Sequence, residues 1–203
     1  DVLALKKVIT TELNIEGYPS PEFIKLVLKA NPNQVTLVPD SPNVITSNAG
    51  WDTIKNQNFL TEIIKKFKSN GIRTSIFIET DLDMILAAKE TKTNRIELYT
   101  ERYANEFFIN KQKAIKPFLK AAELAHQSER KVSLSLSDSF CVDRHRLEFI
   151  DFIKSHVDIL FGNEEEITSL YQTRSLNEAI SEVSKDSTIT AITCGAEGSM
   201  IVF

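Results

Sequence analysis

Apolar positions along this chain switch between spacings of two and of three to four residues, and the switches mark alternating strands and helices. After a short basic lead, DVLALKK, the run VITTELNIEG predicts a strand ending near Gly17. PSPEF opens a helix with Phe23, Ile24, Val27 and Leu28 on one stripe, and the prolines precede or begin its first turn. NPN closes it. QVTLVPD (34–40) is nearly continuous in apolar residues, as a strand covered on both faces would be. A long loop, SPNVITSNAGWDT, leads to a helix carrying Phe59, Leu60, Ile63, Ile64 and Phe67, stopped by Asn70-Gly71. IRTSIFIE is a third strand. Asp81 is placed to cap a helix with Leu82, Ile85 and Leu86, and NRIELYT (94–100) is a fourth strand.

A polar loop, ERYANEFFINKQ, comes next, followed by a helix, AIKPFLKAAELAHQ (114–127), with Pro117 in its first turn. VSLSLS (132–137) predicts a strand, 142–156 a helix with Leu147, Phe149, Ile150 and Ile153, and VDILFGN a strand ending at Asn163. Two short helices follow, over 164–171 and 176–184. TITAITCGAEGSMIVF then predicts two strands joined by a tight turn at Gly195 and Gly198.

Strands alternating with helices imply βαβ units, a parallel sheet and an α/β fold. Chemistry in such sheets gathers at the carboxyl ends of the strands, and Glu16, Asp40, Glu79 and Glu97 lie at or near such ends. Carboxylates gathered on one rim can transfer protons, and strand-end acids also serve as solvated residues or helix caps. Asn163 with Glu166 fits a capping box as well as a ligand pair, and Gly195 with Gly198 fits a hairpin. Ser133, Ser135 and Ser137 alternate along a strand with no His/Asp constellation to activate them. His145 and His156 read as surface or helix-end residues.

Composition sharpens this only at one point. The 203 residues are 42% hydrophobic and 26% charged, ordinary for a globular protein, with a net charge of −4 that argues against nucleic-acid binding. Cys141 and Cys194 fit neither a zinc site nor a disulfide framework, so a reducing cytoplasm is the expected location. No apolar run approaches the roughly 18 residues that a membrane span needs. The uneven part is the split: residues 1–126 hold 17 basic and 15 acidic residues, whereas 127–203 hold 7 and 13. All six prolines lie at or before Pro117 and both cysteines after it. Two origins are expected, 1–126 and 127–203, and a start at Asp1 with an end at Phe203 on an apolar strand reads as a fragment of something longer.

ELNIEGYPSPEF, QVTLVPDSPNVITSNAGW, GIRTSIFIE and RIELYTERYANEF, in this order, resemble pyridoxine 5′-phosphate synthase over about residues 7–126. The resemblance implies part of a TIM barrel, usually assembled as a homo-octamer. It implies condensation of 1-deoxy-D-xylulose 5-phosphate with 3-amino-2-oxopropyl phosphate, without a cofactor. Glu16 matches that family's general base, Thr46 a threonine that binds the deoxyxylulose phosphate, and Glu97 a glutamate that stabilises the transition state. Departures accompany it: Glu101 stands where the family has a loop glycine, and no histidine precedes His126. The family's first strand would lie before Asp1, and SERKVSLSLSD stands where its Asn-Ala-Gly-His strand is due.

KVSLSLSDSFCVDRHR, VDILFGNEEEI and ITCGAEGSMIV resemble the ribokinase-like carbohydrate kinases, including adenosine-kinase-like members, over about residues 114–203. That resemblance implies ATP and magnesium, with Asn163 and Glu166 organising magnesium and phosphate, and Thr193, Gly195 and Gly198 at the nucleotide. No Gly-Ala-Gly-Asp segment is present to supply that family's base. Three readings follow: a synthase portion, placed first; a carbohydrate or nucleoside kinase fragment; and a non-catalytic chimeric βα protein. Small phosphorylated substrates are the expected partners, nucleic acid and membrane are not, and no turnover of either kind is expected from the chain as it stands.

Overall fold

The computed structural model describes residues 2–40, 49–186 and 188–203. The chain forms two compact units, Asp1–Ala121 and Ala122–Phe203, divided inside one helix; the sequence reading had set the change five residues later in that helix.

In the first unit, strands β1 (Asn14–Gly17), β2 (Gln34–Leu37), β3 (Arg73–Ile78) and β4 (Arg95–Leu98) form a parallel sheet in that order. Helices α2 (Pro21–Ala30), α3 (Gln57–Lys68) and α4 (Leu82–Glu90) make the crossovers that parallel neighbours require. Their limits follow from capping chemistry. Ser20 accepts a hydrogen bond from Phe23 N with Pro21 behind it, Asn31 ends α2 in the left-handed region, and Asp81 accepts from Asp83 N and Met84 N. Because successive strand residues point to opposite faces, the register puts Ile15, Val35, Leu37, Ile76 and Ile78 on one side. There they form the core with Val27, Leu60, Ile64 and Phe67.

Four expectations change here. The strand predicted over 8–17 shrinks to β1, and VLALKKV coils into a helix, α1 (Val2–Val8), with Val2 and Leu3 against the core. The polar loop 101–112 contains a helix, α5 (Glu101–Phe107), whose Tyr103 and Phe107 pack against each other and whose Tyr103 meets Phe118 edge-on. Helix α6 (Lys111–Gln127) begins earlier than predicted because Asn110 Oδ1 accepts from Lys113 N. Pro117 therefore sits inside the helix rather than in its first turn.

The second unit holds a separate sheet: β5 (Ser133–Ser135), β6 (Ile159–Asn163) and β7 (Ile189–Thr193) are parallel, and β8 (Ser199–Val202) runs antiparallel to β7. The helix expected over 142–156 is two. Asp138 caps α7 (Ser139–Arg144), the backbone leaves helical geometry at His145 (φ −120°, ψ 23°), and α8 (Arg146–His156) starts afresh. Helices α9 (Glu164–Tyr171) and α10 (Leu176–Val183) match the sequence reading, and the final turn is one 3₁₀ turn, Gly195–Glu197. Leu136, Val142, Ile153, Leu160, Ile167, Leu170 and Ile192 make the core of this unit.

Candidate functional site

The face of the first sheet opposite its core is polar by alternation. Asn14 and Glu16 come from β1, Gln34 and Thr36 from β2, Ser75 and Phe77 from β3, and Arg95 and Glu97 from β4. Thr36 and Ser75 are fully buried, and Gln34 is 8% exposed. Glu97 reaches across this face. Its Oε1 accepts a hydrogen bond from Thr36 Oγ1 at 3.1 Å, two strands away, and Asn14 Nδ2 donates to the same Thr36 oxygen at 3.1 Å. Neighbouring strands lie roughly 4.8 Å apart, so the Glu97–Thr36 bond spans the whole width of β3. Ser75 Oγ and Gln34 Oε1, both buried, have no hydrogen-bond partner among the described residues.

Glu16 stands on the opposite edge strand. Although the residue is exposed, neighbouring atoms desolvate its carboxyl, and that partial burial raises its pKa. The negative charge of Glu97 raises it further. A carboxyl so shifted holds a proton closer to neutrality and is correspondingly a stronger base.

At the carboxyl ends of the strands, the segment Gly50–Trp51 is pinned to β3. Trp51 N donates to Phe77 O at 2.7 Å, Gly50 N to Glu79 Oε1 at 3.2 Å, and Trp51 Nε1 to Leu37 O at 3.0 Å. A Cβ at residue 50 would lie 2.4 Å from Ile78 C and from Glu79 N, so only glycine permits this approach. Tyr99 packs edge-on to Phe77, and its hydroxyl donates to Glu101 Oε2. That bond, with lesser effects of burial, Glu101, Glu79 and Asp40, pushes the Tyr99 pKa up to about 12. Glu101, read from sequence as a departure at a loop glycine, is thus the acceptor for Tyr99.

Of the residues singled out from sequence, Glu16 and Glu97 come together on one face, Asp40 and Glu79 stand at the strand ends, and Thr46 lies outside the described residues. Asn14, Thr36, Ser75 and Tyr99 escaped the sequence reading. The signal for the strand residues was present in the pairs N-x-E, Q-x-T, R-x-S and R-x-E, polar residues two apart on β1–β4.

In the second unit, Asn163 and Thr193 are register partners at the ends of β6 and β7. Asn163 Oδ1 accepts from Glu166 N at 2.8 Å, while Glu166 Oε2 and Oε1 accept from Asn163 N and Nδ2, each at 2.9 Å. All three oxygens are thereby engaged in a capping box. No group of three or more His, Cys, Asp or Glu able to hold a metal occurs among the described residues. Gly195 and Gly198 both take positive φ in the turn, closed by Cys194 N donating to Gly198 O at 2.8 Å. A depression lined by His126, Lys131, Lys154, His156 and Lys185 sits instead at the amino ends of β5–β7. No described helix is long and apolar enough to cross a membrane.

A parallel α/β sheet with a carboxylate pair on its polar face defines an enzyme-like scaffold, and comparison with known proteins gives its family. The family model of "Pyridoxal phosphate biosynthesis protein PdxJ" matches residues 1–143, and the chain belongs to that family. The match extends past residue 126, where the sequence reading ended the resemblance. Pyridoxine 5′-phosphate synthase of Flavobacterium johnsoniae is 56% identical over 127 residues, covering 63% of this chain and 54% of that protein. The Cytophaga hutchinsonii synthase is 48% identical over 150 residues, covering 74% and 61%. The chain spans about half the length of the curated relatives it matches. Among solved structures, adenosine kinase from Sinorhizobium meliloti aligns at 19% identity and TM-score 0.47, covering 93% of this chain and 73% of that one. A probable sugar kinase from Rhizobium etli aligns at 20% and 0.44, covering 98% and 70%.

Proposed function

We propose that Glu16 and Glu97 form the proton-handling part of a pyridoxine 5′-phosphate synthase centre, built on the polar face of the first sheet. The observation that carries this is the pairing of the two carboxylates across that face, with the proton affinity of Glu16 raised by its surroundings. In this reading β1–β4 are four βα units of a TIM barrel, and the polar face is part of its interior.

The condensation of 1-deoxy-D-xylulose 5-phosphate with 3-amino-2-oxopropyl phosphate joins an amine to a ketone and closes a ring, with the loss of inorganic phosphate and water. Each stage moves protons between carbon, nitrogen and departing water. Glu16 takes and returns those protons. Glu97 stays an anion and stabilises positive charge as it develops on nitrogen. Thr46 binds the deoxyxylulose phosphate, and no cofactor takes part.

The three histidines, 126, 145 and 156, all belong to the second unit. The first unit offers carboxylates but no imidazole, so the chain by itself is expected to give no turnover.

The test is a graft. Residues 1–121 replace the matching segment of the Flavobacterium johnsoniae synthase, and pyridoxine 5′-phosphate is measured from the two substrates. The graft turns over, and Glu16→Gln within it lowers kcat by ~10²-fold or more. A graft that folds and works equally well with Gln at that position would overturn the assignment.

For the second unit, the residues support a structural reading best. Asn163 and Glu166 cap a helix, and Gly195 and Gly198 turn a hairpin. Titration of the chain with ATP and magnesium is expected to show no binding that Asn163→Ala abolishes; such binding would favour the kinase reading.

A further inference from the structure

Thr36 has one hydroxyl proton and three neighbours for it. Asn14 Nδ2 lies at 3.1 Å, Asn14 Oδ1 at 3.2 Å and Glu97 Oε1 at 3.1 Å. An ionised carboxylate only accepts, and a hydrogen bond to it is roughly twice as strong as one to a neutral carbonyl. The proton therefore goes to Glu97. The Asn14 amide nitrogen, which only donates, fills a lone pair of Thr36 in return. The three side chains form a directed chain, Asn14 to Thr36 to Glu97, on three different strands.

Burial gives the chain its consequence. Thr36 is fully buried, so its hydroxyl has no water to turn to, and without Glu97 it is left with the weaker, neutral acceptor Asn14 Oδ1. Ser75, the register partner of Thr36 on β3, has a hydroxyl that is unpartnered among the described residues, so proximity alone does not decide the bond. The other charged or titratable groups on this face are Glu16 on β1, Arg73 on β3, which is paired with Glu12, and Arg95 on β4. Tyr99, just past β4, is bound to Glu101, and β2 adds none.

We propose that Thr36, oriented by Asn14, is a positioning residue that holds the Glu97 carboxylate as a fixed anion across the sheet and leaves Glu16 as the member of the pair that exchanges protons. This rests on the reading of Glu16 and Glu97 as the catalytic pair. It goes beyond that reading by saying what separates the roles of two chemically identical side chains: among the described residues, one has a buried hydroxyl donor and the other does not.

The test is carbon-13 NMR of the glutamate side-chain carboxyls and of the threonine Cβ atoms in the full chain, followed against pH. In the wild type, the Thr36 Cβ resonance inflects at the Glu97 midpoint. In Thr36→Val, the Glu97 carboxyl titrates at higher pH than in the wild type and that of Glu16 at lower pH, whereas Thr36→Ser restores both. A Glu97 midpoint unchanged in a folded Thr36→Val chain overturns the proposal. Should Thr36→Val fail to fold, a Thr36 Cβ resonance with no inflection at the wild-type Glu97 midpoint overturns it equally. The measurement needs no turnover, so a dead graft with the expected titrations refutes the proposed function alone, and an active graft without them refutes only the role of Thr36.

Discussion

Glu16 and Glu97, on the two edge strands of a four-stranded sheet, are close enough for the charge of one to raise the proton affinity of the other. Alternation makes this possible: both side chains leave the sheet on the face opposite the core.

The pair makes stability depend on pH with a definite sign. Glu16 binds its proton more tightly in the folded chain than in the unfolded one, because burial and then Glu97 disfavour its charge. Its contribution is fully present below the ordinary carboxyl value and is lost as pH rises through the raised value. Glu16→Gln removes this dependence. Urea unfolding between pH 4 and 7 is expected to show the variant gaining stability relative to wild type as pH rises; a constant difference would refute the coupling.

Gly50 is expected to be irreplaceable by alanine. The added methyl meets backbone atoms of Ile78 and Glu79, which cannot rotate away as a side-chain tip would. Gly50→Ala should cost about 1–3 kcal/mol and loosen the anchor of Trp51. Trp51 is the single tryptophan and is 4% exposed, so its fluorescence reports the change directly, with emission shifting to the red.

Asn163→Ala removes the side-chain acceptor for Glu166 N and the Nδ2 donor to the buried Glu166 carboxylate, while the backbone N–H of residue 163 still donates to Glu166 Oε2. A loss of about 1–2 kcal/mol is expected in denaturant unfolding followed by circular dichroism. Asn163→Asp, which keeps the acceptor for Glu166 N but sets one carboxylate against another, should recover little of it.

Tyr99 should ionise late. Its hydroxyl bond to Glu101 holds its pKa near 12, so Glu101→Gln should bring it back toward 10. Ultraviolet titration of the phenolate, with Tyr99→Phe identifying the transition, reads the difference. An unchanged alkaline profile in Glu101→Gln would remove Glu101 as the cause.

How much was legible in the sequence varied from element to element. Helix α3 announced itself because Leu60, Ile63, Ile64 and Phe67 repeat on one stripe and all four are buried. The capping box of α9 was equally readable, since its hydrogen bonds join residues three apart. Helices α1 and α5 were not. Each is seven residues long, and their apolar residues, Val2 and Leu3 or Tyr103 and Phe107, are too few to show a period. The break between α7 and α8 was hidden for a related reason, because apolar spacing carries on past the bend at His145.

By itself the sequence determined what is local: strand and helix order, the caps, the polar alternation of β1–β4 and the acids at the strand ends. Only the tertiary structure decided that Thr36, 61 residues before Glu97, would donate to it, and that burial and the charge of Glu97 would raise the proton affinity of Glu16. The reason is physical. A side chain's preference for a proton depends on which dipoles, charges and excluded water surround it, and those neighbours come from strands far apart in the chain.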